Sequence, residues 1–362
     1  MASSPILLDW TSERLRAWSL PAEGPAKAIV LDGQNQVIPL VISMAEKRLQ
    51  MGQVAKKQAR EHPHQVLETF LPYLGRERRW QHGRYLLDAR DAVYWVLCRL
   101  KEKLPGKVIF QTVPTYWSRE QAAILEDCTR LAGYRSLGIM ARGPALGGDT
   151  AGLLIDVDSF ACSWIQTSLQ HRTGNLQVEK TRCLPELAIS IWSERIGTFI
   201  ASKCLMESRR DPRVNGATDQ QLFEQIEMRL SDWASQYDAT LHIQQHHWQE
   251  ELVIRASDVT QLCLPLAEQL CRNLPAPGEL NALYLSHEAG RLPGLAQALY
   301  RQGSHQQVVT ILPEDTHVKN LHVWIQRIEQ GLHPVLKLTD PFPTGEATPE
   351  NRADTLPFPK RK

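Results

Sequence analysis

The chain has 362 residues, enough at roughly 100–200 residues per domain for two or three domains. Hydrophobic residues make up 43% and charged residues 22%, the composition of a chain with a packed core rather than a disordered one. Lys and Arg (41) balance Asp and Glu (40), which excludes a strongly basic nucleic-acid-binding field and any general attraction to an anionic membrane surface.

MASSPILLDW at the N-terminus has neither a basic segment nor an apolar run long enough for a signal peptide. No stretch approaches the ~20 apolar residues of a membrane span. The seven cysteines are scattered and contain no C-x-x-C pair, so they read as reduced thiols of a cytoplasmic protein rather than as zinc ligands.

In chain order, Ile6–Asp9 and Ala28–Leu31 read as strands. Gly33 turns the chain into a third, Val37–Ile42, which Pro39 interrupts. Residues 44–104 read as mostly helical, most clearly over Asp88–Lys103, where Ala92, Val93, Val96, Leu97 and Leu100 fall at helical spacing. Val108–Val113 is a buried-type strand. Ser118 with Gln121 forms a capping box for a helix to Leu131. Leu153–Val157 and Ser163–Leu169 read as a strand and its hairpin partner. Residues 185–272 form a mainly helical block, in which Thr218 with Gln221 makes a second capping box and Ser257 caps a further helix. A hairpin, Thr240–Gln244 with Glu251–Arg255, separates those two helices. Beyond a Pro-Ala-Pro-Gly linker (275–278) come strand Leu283–Ser286, helix Leu292–Arg301, strand Val308–Leu312 and helix Val318–Gln330. From Pro334 the composition is that of a tail with little packed structure.

One internal echo stands out. Ile6-Leu-Leu-Asp9-Trp-Thr-Ser12 parallels Leu153-Leu-Ile-Asp156-Val-Asp-Ser159: an apolar strand ending in Asp, a polar turn, then a strand containing Trp. This pattern predicts two related sheets, each aiming a carboxylate into the space between them, the usual place for a ligand.

Five segments together resemble the nucleotide-binding domain of the seventy-kilodalton heat-shock chaperones. They are Val37–Arg76 (with "G-x-x-A-K-x-Q" at Gly52–Gln58 and "L-I-G-R" at Tyr73–Arg76), Val108–Leu137 ("T-V-P-A-Y-F … A-G … V-L"), Leu153–Asp158 where the second phosphate loop belongs, Leu283–Leu299 ("L-V-G-G-x-x-R-x-P", the adenosine motif) and the closing helix at His317–Gln326. The likeness covers about residues 4–332. It implies an α/β chain with the two-lobed actin-like ATPase fold: two related mixed β-sheets flanked by helices, each lobe with an outer subdomain. Residues 1–37 and 105–152 would form the inner part of lobe I and 38–104 its outer part. Residues 153–190 and 279–332 would form the inner part of lobe II and 191–278 its outer part. The stretch 333–362 would be a flexible tail, too short for the chaperones' peptide-binding domain.

Cleaving ATP in such a fold needs glycine loops whose N–H groups touch phosphates, carboxylates that hold Mg²⁺ through water, a lysine near the γ-phosphate and a group that orients water. The first phosphate loop, "D-L-G-T-T-N", reads Asp9-Trp-Thr-Ser-Glu-Arg14 here. The second, "D-L-G-G-G-T", reads Asp156-Val-Asp-Ser-Phe-Ala161, with no glycine left. The catalytic lysine falls on Leu71, the "N-E-P" glutamate near Gly143-Pro144 with Arg142 beside it, and the adenosine glycines on His287 and Glu288. The relay proline matches Pro114, but its arginine partner falls near Ala122.

By this resemblance the candidate nucleotide ligands are Asp9, Thr11, Ser12, Asp156, Asp158, Ser159 and Arg291, with Asp9 and Asp156 facing any Mg²⁺. The plainer readings are strand-end caps for the two aspartates, ordinary turn residues for Thr11 and Ser12, and a surface arginine for Arg291. No residue is assigned a catalytic role. The expectation is a pseudo-ATPase that binds ATP or ADP with Mg²⁺ weakly or not at all and acts through a protein partner. The alternative is a chaperone-like protein that hydrolyses ATP slowly with substitute ligands.

Overall fold

The computed structural model describes residues 4–148, 150–169, 176–245, 248–275, 282–302 and 308–329. The chain opens with strand β1 (Ile6–Trp10), buried at every position, and the antiparallel β2 (Arg14–Ser19). Short strands β3 (Lys27–Ala28) and β4 (Val37–Pro39) both pair with β2. A region of small elements follows: β5 (Ile42–Ser43), β6 (Gln50–Met51), helix α1 (Gln53–Lys56), β7 (Val66–Leu67), and the hairpin β8 (Arg79–His82) with β9 (Tyr85–Asp88). Helix α2 (Ala89–Leu100), strand β10 (Val108–Val113), helix α3 (Arg119–Leu131), strand β11 (Arg135–Ala141) and helix α4 (Arg142–Gly147) complete the first half.

The second half repeats the opening. Strand β12 (Gly152–Val157) is fully buried and pairs antiparallel with β13 (Cys162–Leu169), which pairs with β14 (Leu176–Leu184). Helices α5 (Ile189–Ser208) and α6 (Gly216–Ala234), hairpin β15 (Ala239–Gln245) and β16 (Trp248–Ile254), and helix α7 (Ala256–Arg272) then form a mainly helical block. The chain returns through β17 (Leu283–Leu285), α8 (His287–Gly290), α9 (Leu295–Gln302), β18 (Val309–Ile311) and α10 (Thr316–Glu329).

The result is a mixed α/β architecture whose two main sheets share one topology. Their orders are β11-β10-β1-β2-β3 and β14-β13-β12-β17-β18. In each, the first strand sits centrally, with antiparallel hairpin partners on one side and parallel strands returned by helical connections on the other. Strands buried on both faces read as continuous apolar runs, which is why β1 and β12 were visible in the sequence. One core surrounds the first sheet, α2 and α3, and a second joins the other sheet to α5, α6 and α7. A third binds the C-terminal helix back to the first sheet: Val318, Leu321, Trp324 and Ile325 of α10 pack on Leu7, Trp18, Leu20 and Met140. Asn320 Nδ2 donates to the carbonyls of Ala145 and Leu146 at 2.9 and 3.2 Å, tying α10 to α4.

Several local expectations hold. Ser118 forms the expected reciprocal capping box with Gln121 at the start of α3, and α2 begins after Asp88 as expected, with a box to Asp91 that the sequence reading does not name. Others need correction. Residues 44–104 are mostly short strands and turns, with α1 and α2 as their α-helices among the described residues. Pro63, Pro72 and Gly75 (φ +84°) break the helical composition, and the apolar run around Leu71 makes a 3₁₀ turn. Val37–Ile42 splits at Pro39 into β4 and β5. Thr218 does not cap: Asn215 does, accepting from Ala217 N–H at 2.9 Å, while Thr218 lies inside α6. Ser257 does not cap α7 either; Asp238 accepts from the Ala256 N–H at 2.8 Å. Helix α9 starts at Leu295 because Pro293 and Gly294 (φ +80°) precede it. Strands β11 and β14 and helix α4 had no clear sequence signal. The 276–278 part of the predicted linker and the predicted tail from 334 lie outside the described residues.

Helix α4 lies so close to β13 that a Cβ on Gly143 would sit 1.8 Å from Ile165 Cδ1 and 3.0 Å from Thr115 Oγ1. Ile165 is buried, so relieving the overlap means repacking its side chain within the core. Gly143→Ala is therefore expected to cost about 1–3 kcal/mol in urea denaturation, as overpacking does.

Candidate functional site

Asp9 and Asp156 occupy the same place in their respective sheets, one residue before the end of the central strand. Both are buried, and the structure brings them to a common cation. Arg142, the first residue of α4, has a side chain only 3% exposed. Its Nη1 lies 3.3 Å from Asp9 Oδ2, its Nε 3.7 Å from Asp156 Oδ2 and its Nη2 3.0 Å from Glu288 Oε2. One guanidinium thus meets carboxylates from β1, β12 and α8.

More charge gathers around this centre. Arg14 and Arg16, alternate residues of β2 and so on one face of the strand, both reach Glu288, Arg16 at 3.2 Å. Arg16 also pairs with Glu314, beyond β18. Thr112 Oγ1 donates to Asp9 Oδ1 at 2.7 Å, and the His317 ring of α10 lies 3.2 Å from Asp9 Oδ2. Carboxylates and guanidiniums this far from water persist only in such mutual pairing.

The electrostatics differ between the two aspartates. Burial raises the pKa of Asp9, but Arg142, His317 and Arg16 outweigh it and hold the carboxyl well below its ordinary range. Glu288 is likewise lowered, because Arg142, Arg14 and Arg16 overcome its burial. Asp156 is shifted upward: burial, with Glu288 and Asp9 as like charges nearby, exceeds the pull of Arg142 at its longer distance. Arg142 stays charged, since Asp9, Glu288 and Asp156 more than offset its desolvation.

The turns after β1 and β12 meet each other. Ser12 N–H donates to Asp158 Oδ2 at 3.1 Å, and Ser159 N–H donates to Glu13 Oε2 at 2.9 Å. Thr11 folds back on its own turn, its Oγ1 accepting from Arg14 N–H at 3.2 Å. Phe160, where the resemblance has a glycine, packs across to the other half against Tyr73 and Tyr116, with ring centroids 6.2 and 5.4 Å apart. The cavity bounded by Thr11, Tyr116, Arg142, Asp156 and Asp158 measures ≈ 10 Å³, about one water.

Six of the seven predicted ligands, Asp9, Thr11, Ser12, Asp156, Asp158 and Ser159, therefore come together. Arg291 does not join them. Its Nε donates to Ser231 Oγ at 2.9 Å and its Nη2 to the Glu227 carbonyl, which binds the end of α8 to α6. Glu13, Arg14, Arg16, Glu288 and His317 were not singled out as site residues. The available signal was charge inside an apolar pattern, as with Arg16 between Leu15 and Ala17.

A second contact joins the outer parts of the two halves. Lys56 pairs with Glu227 at 2.6 Å, and Arg60 with Glu194 at 3.0 Å and Asp219 at 3.1 Å. Gly216 at the start of α6 fits against the backbone, where a Cβ would lie 2.7 Å from Glu61 Cα. An open polar groove of ≈ 550 Å³ runs beside this contact, lined by Glu61, Asn215, Gln221, His242 and Gln244 and by none of the buried carboxylates.

Mg-ATP does not fit these residues as they stand. The two aspartates that would face hydrated Mg²⁺ already neutralise Arg142, the turn amides are committed to Asp158 and Glu13, and ≈ 10 Å³ is far below the ~300–1,000 Å³ of ordinary ligand pockets. Among the described residues, no group of three or more His, Cys, Asp or Glu could hold a metal ion, and no helix is long and apolar enough to cross a membrane.

Removing Arg142 leaves three buried carboxylates without their shared cation. Arg142→Ala is expected to cost about 3–5 kcal/mol in a chemical melt. Asp9 and Glu288 have lowered pKa values, so their stabilisation is complete above the ordinary carboxylate range and disappears only in stronger acid. The variant should lose near-ultraviolet circular dichroism at a higher pH than the native chain during acid titration. No protein-family model and no curated protein matches the chain.

Proposed function

We propose that this chain is a pseudo-ATPase: a two-lobed domain of the actin-like ATPase fold, related to the nucleotide-binding domain of the seventy-kilodalton heat-shock chaperones, that serves as an interaction scaffold for a protein partner. The shared order of the two main sheets supports the two-lobed reading. In that reading, residues 1–37 and 105–152 with outer part 38–104 form one lobe, and residues 153–190 and 279–332 with outer part 191–278 form the other.

The observation that carries the functional reading is the guanidinium of Arg142 between Asp9, Asp156 and Glu288. In an ATPase of this fold, the space between the strand-end aspartates belongs to a hydrated metal and the phosphates it holds. Here a side-chain cation takes the metal's electrostatic part. It is covalently fixed, coordinates no water and offers no open position. Leu71 at the lysine position adds an apolar, fully buried side chain where phosphate chemistry would need a charge. The scaffold has kept its packing and its caps while the cleft has acquired its own counter-ions.

Addition of millimolar Mg-ATP tests this reading. A ligand at 100-fold over its dissociation constant adds about 2.7 kcal/mol, a shift of a few degrees in a melt. The expected result is no shift and no phosphate release. A shift accompanied by γ-phosphate release would establish the alternative, a slow chaperone-like ATPase with substitute ligands.

A further inference from the structure

The first main sheet ends in β11 on one side and in the short β3 and β4 on the other; the second ends in β14 and β18. An edge strand offers a row of N–H and C=O groups to any other chain, and proteins blunt it with charge, proline or an extra residue that breaks the register. On β11 the extra residue is Leu137, since Ile109 and Phe110 pair with Ser136 and Gly138. On β14 it is Glu179, between the paired residues Val178 and Lys180, and Lys180 and Arg182 add charge. Strand β3 carries Lys27, and β4 contains Pro39.

Strand β18 has none of these devices. It pairs with β17 in unbroken register from Val309 to Ile311. With its neighbours it reads Val308-Val-Thr-Ile-Leu312, apolar or β-branched throughout and without charge or proline. Val308 is 73% exposed and Ile311 50%. Leu312 N–H donates to the Leu285 carbonyl at 2.8 Å, so by the alternation of a strand the N–H and C=O groups of Val309 and Ile311 face away from β17. The Val309 carbonyl has the Tyr300 hydroxyl at 3.5 Å, the limit of a hydrogen bond, from a side chain that is itself exposed. The outward groups of Ile311 have no hydrogen-bond partner among the described residues.

We propose that β18 is a self-association edge, which pairs antiparallel with β18 of a second copy of this chain across a two-fold axis at Thr310. In that register Val309 meets Ile311 of the second copy and exchanges both hydrogen bonds with it, Val308 meets Leu312, and Thr310 meets its own counterpart. A two-fold pairing sets the central residue against itself. Strand β14, centred on Lys180, would oppose like charges, whereas β18 opposes two threonines between apolar, β-branched pairs, which is a stabilising arrangement. The strand is thus complementary to itself in chemistry and in hydrogen-bond register, and the second sheet runs on from one copy into the other. The contact lies at the sheet edge, away from the charged centre, and holds whether or not the chain binds nucleotide.

The test uses the full chain in sedimentation equilibrium, with hydrogen exchange read at the Ile311 amide. A strand this short makes a small contact, so the expected result is a weak dimer with a dissociation constant on the order of 100 µM, in which Ile311 exchanges more slowly as concentration rises. Thr310→Lys and Thr310→Glu each set like charges across the axis and should weaken self-association about fivefold, and an equal mixture of the two should recover it. Thr310 is exposed, so neither substitution reaches the core. A dimer indifferent to both substitutions belongs to another surface and overturns the proposal. Protection of Ile311 in dilute solution means that the chain's own residues cover the edge, and overturns it as well. A monomer at millimolar concentration with Ile311 exchanging freely leaves the edge to a strand of a different protein and overturns pairing with a second copy.

Discussion

A single guanidinium, that of Arg142, holds carboxylates from both main sheets out of water. Burying any one of these charges alone costs several kcal/mol, so the arrangement persists only with all partners in place. Asp9 comes from β1, whose neighbours lie in one hydrophobic core, and Asp156 from β12 and Glu288 from α8, whose neighbours lie in the other. The relative position of the two sheets is therefore set by charge pairing as well as by apolar area. Apolar packing tolerates small shifts, whereas a cation shared at 3.0–3.7 Å among three acids does not.

The two sheets repeat one topology, and the network uses the repeat unequally. Asp9 has Arg142, Arg16, His317 and Thr112 around it, so its charge is over-compensated. Asp156 has Arg142 at 3.7 Å and two like charges nearby, so it is under-compensated. The turns that follow behave more symmetrically. Ser12 and Ser159, each three residues past the strand-end aspartate, both donate their N–H across to the opposite turn. The Asp158 and Glu13 side chains of these turns supply the acceptors those amides need.

Much of this frame was legible in the sequence. The strands that carry Asp9 and Asp156 near their ends are continuous apolar runs, and the box at Ser118 is a local motif whose meaning does not depend on the rest of the chain. The Thr218 box was misread because Asn215, three residues earlier, competes for the same helix start. Residues 44–104 have a helical composition, yet their apolar side chains are distributed over short strands and a proline-containing turn, so periodicity misled. The site was half legible for a different reason. Carboxylates at strand ends announce themselves by position, but Arg142 and Glu288 gain their meaning from partners on other elements, Asp9 and Glu288 lying 133 and 146 residues from Arg142.

The two contacts between the halves respond differently to solvent. The Arg142 network is buried, so mobile ions scarcely screen it, whereas Lys56–Glu227 and Arg60–Glu194 have partners half or more exposed and are worth little each. Salt therefore weakens the outer contact first and leaves the inner one intact. The reciprocal exchange at Glu13 and Asp158 lies between these extremes, with one carboxylate buried and the other open to water. The hydrogen bonds from Ser12 to Asp158 and from Ser159 to Glu13 therefore join the halves at a point where solvent reaches one side of the contact and not the other.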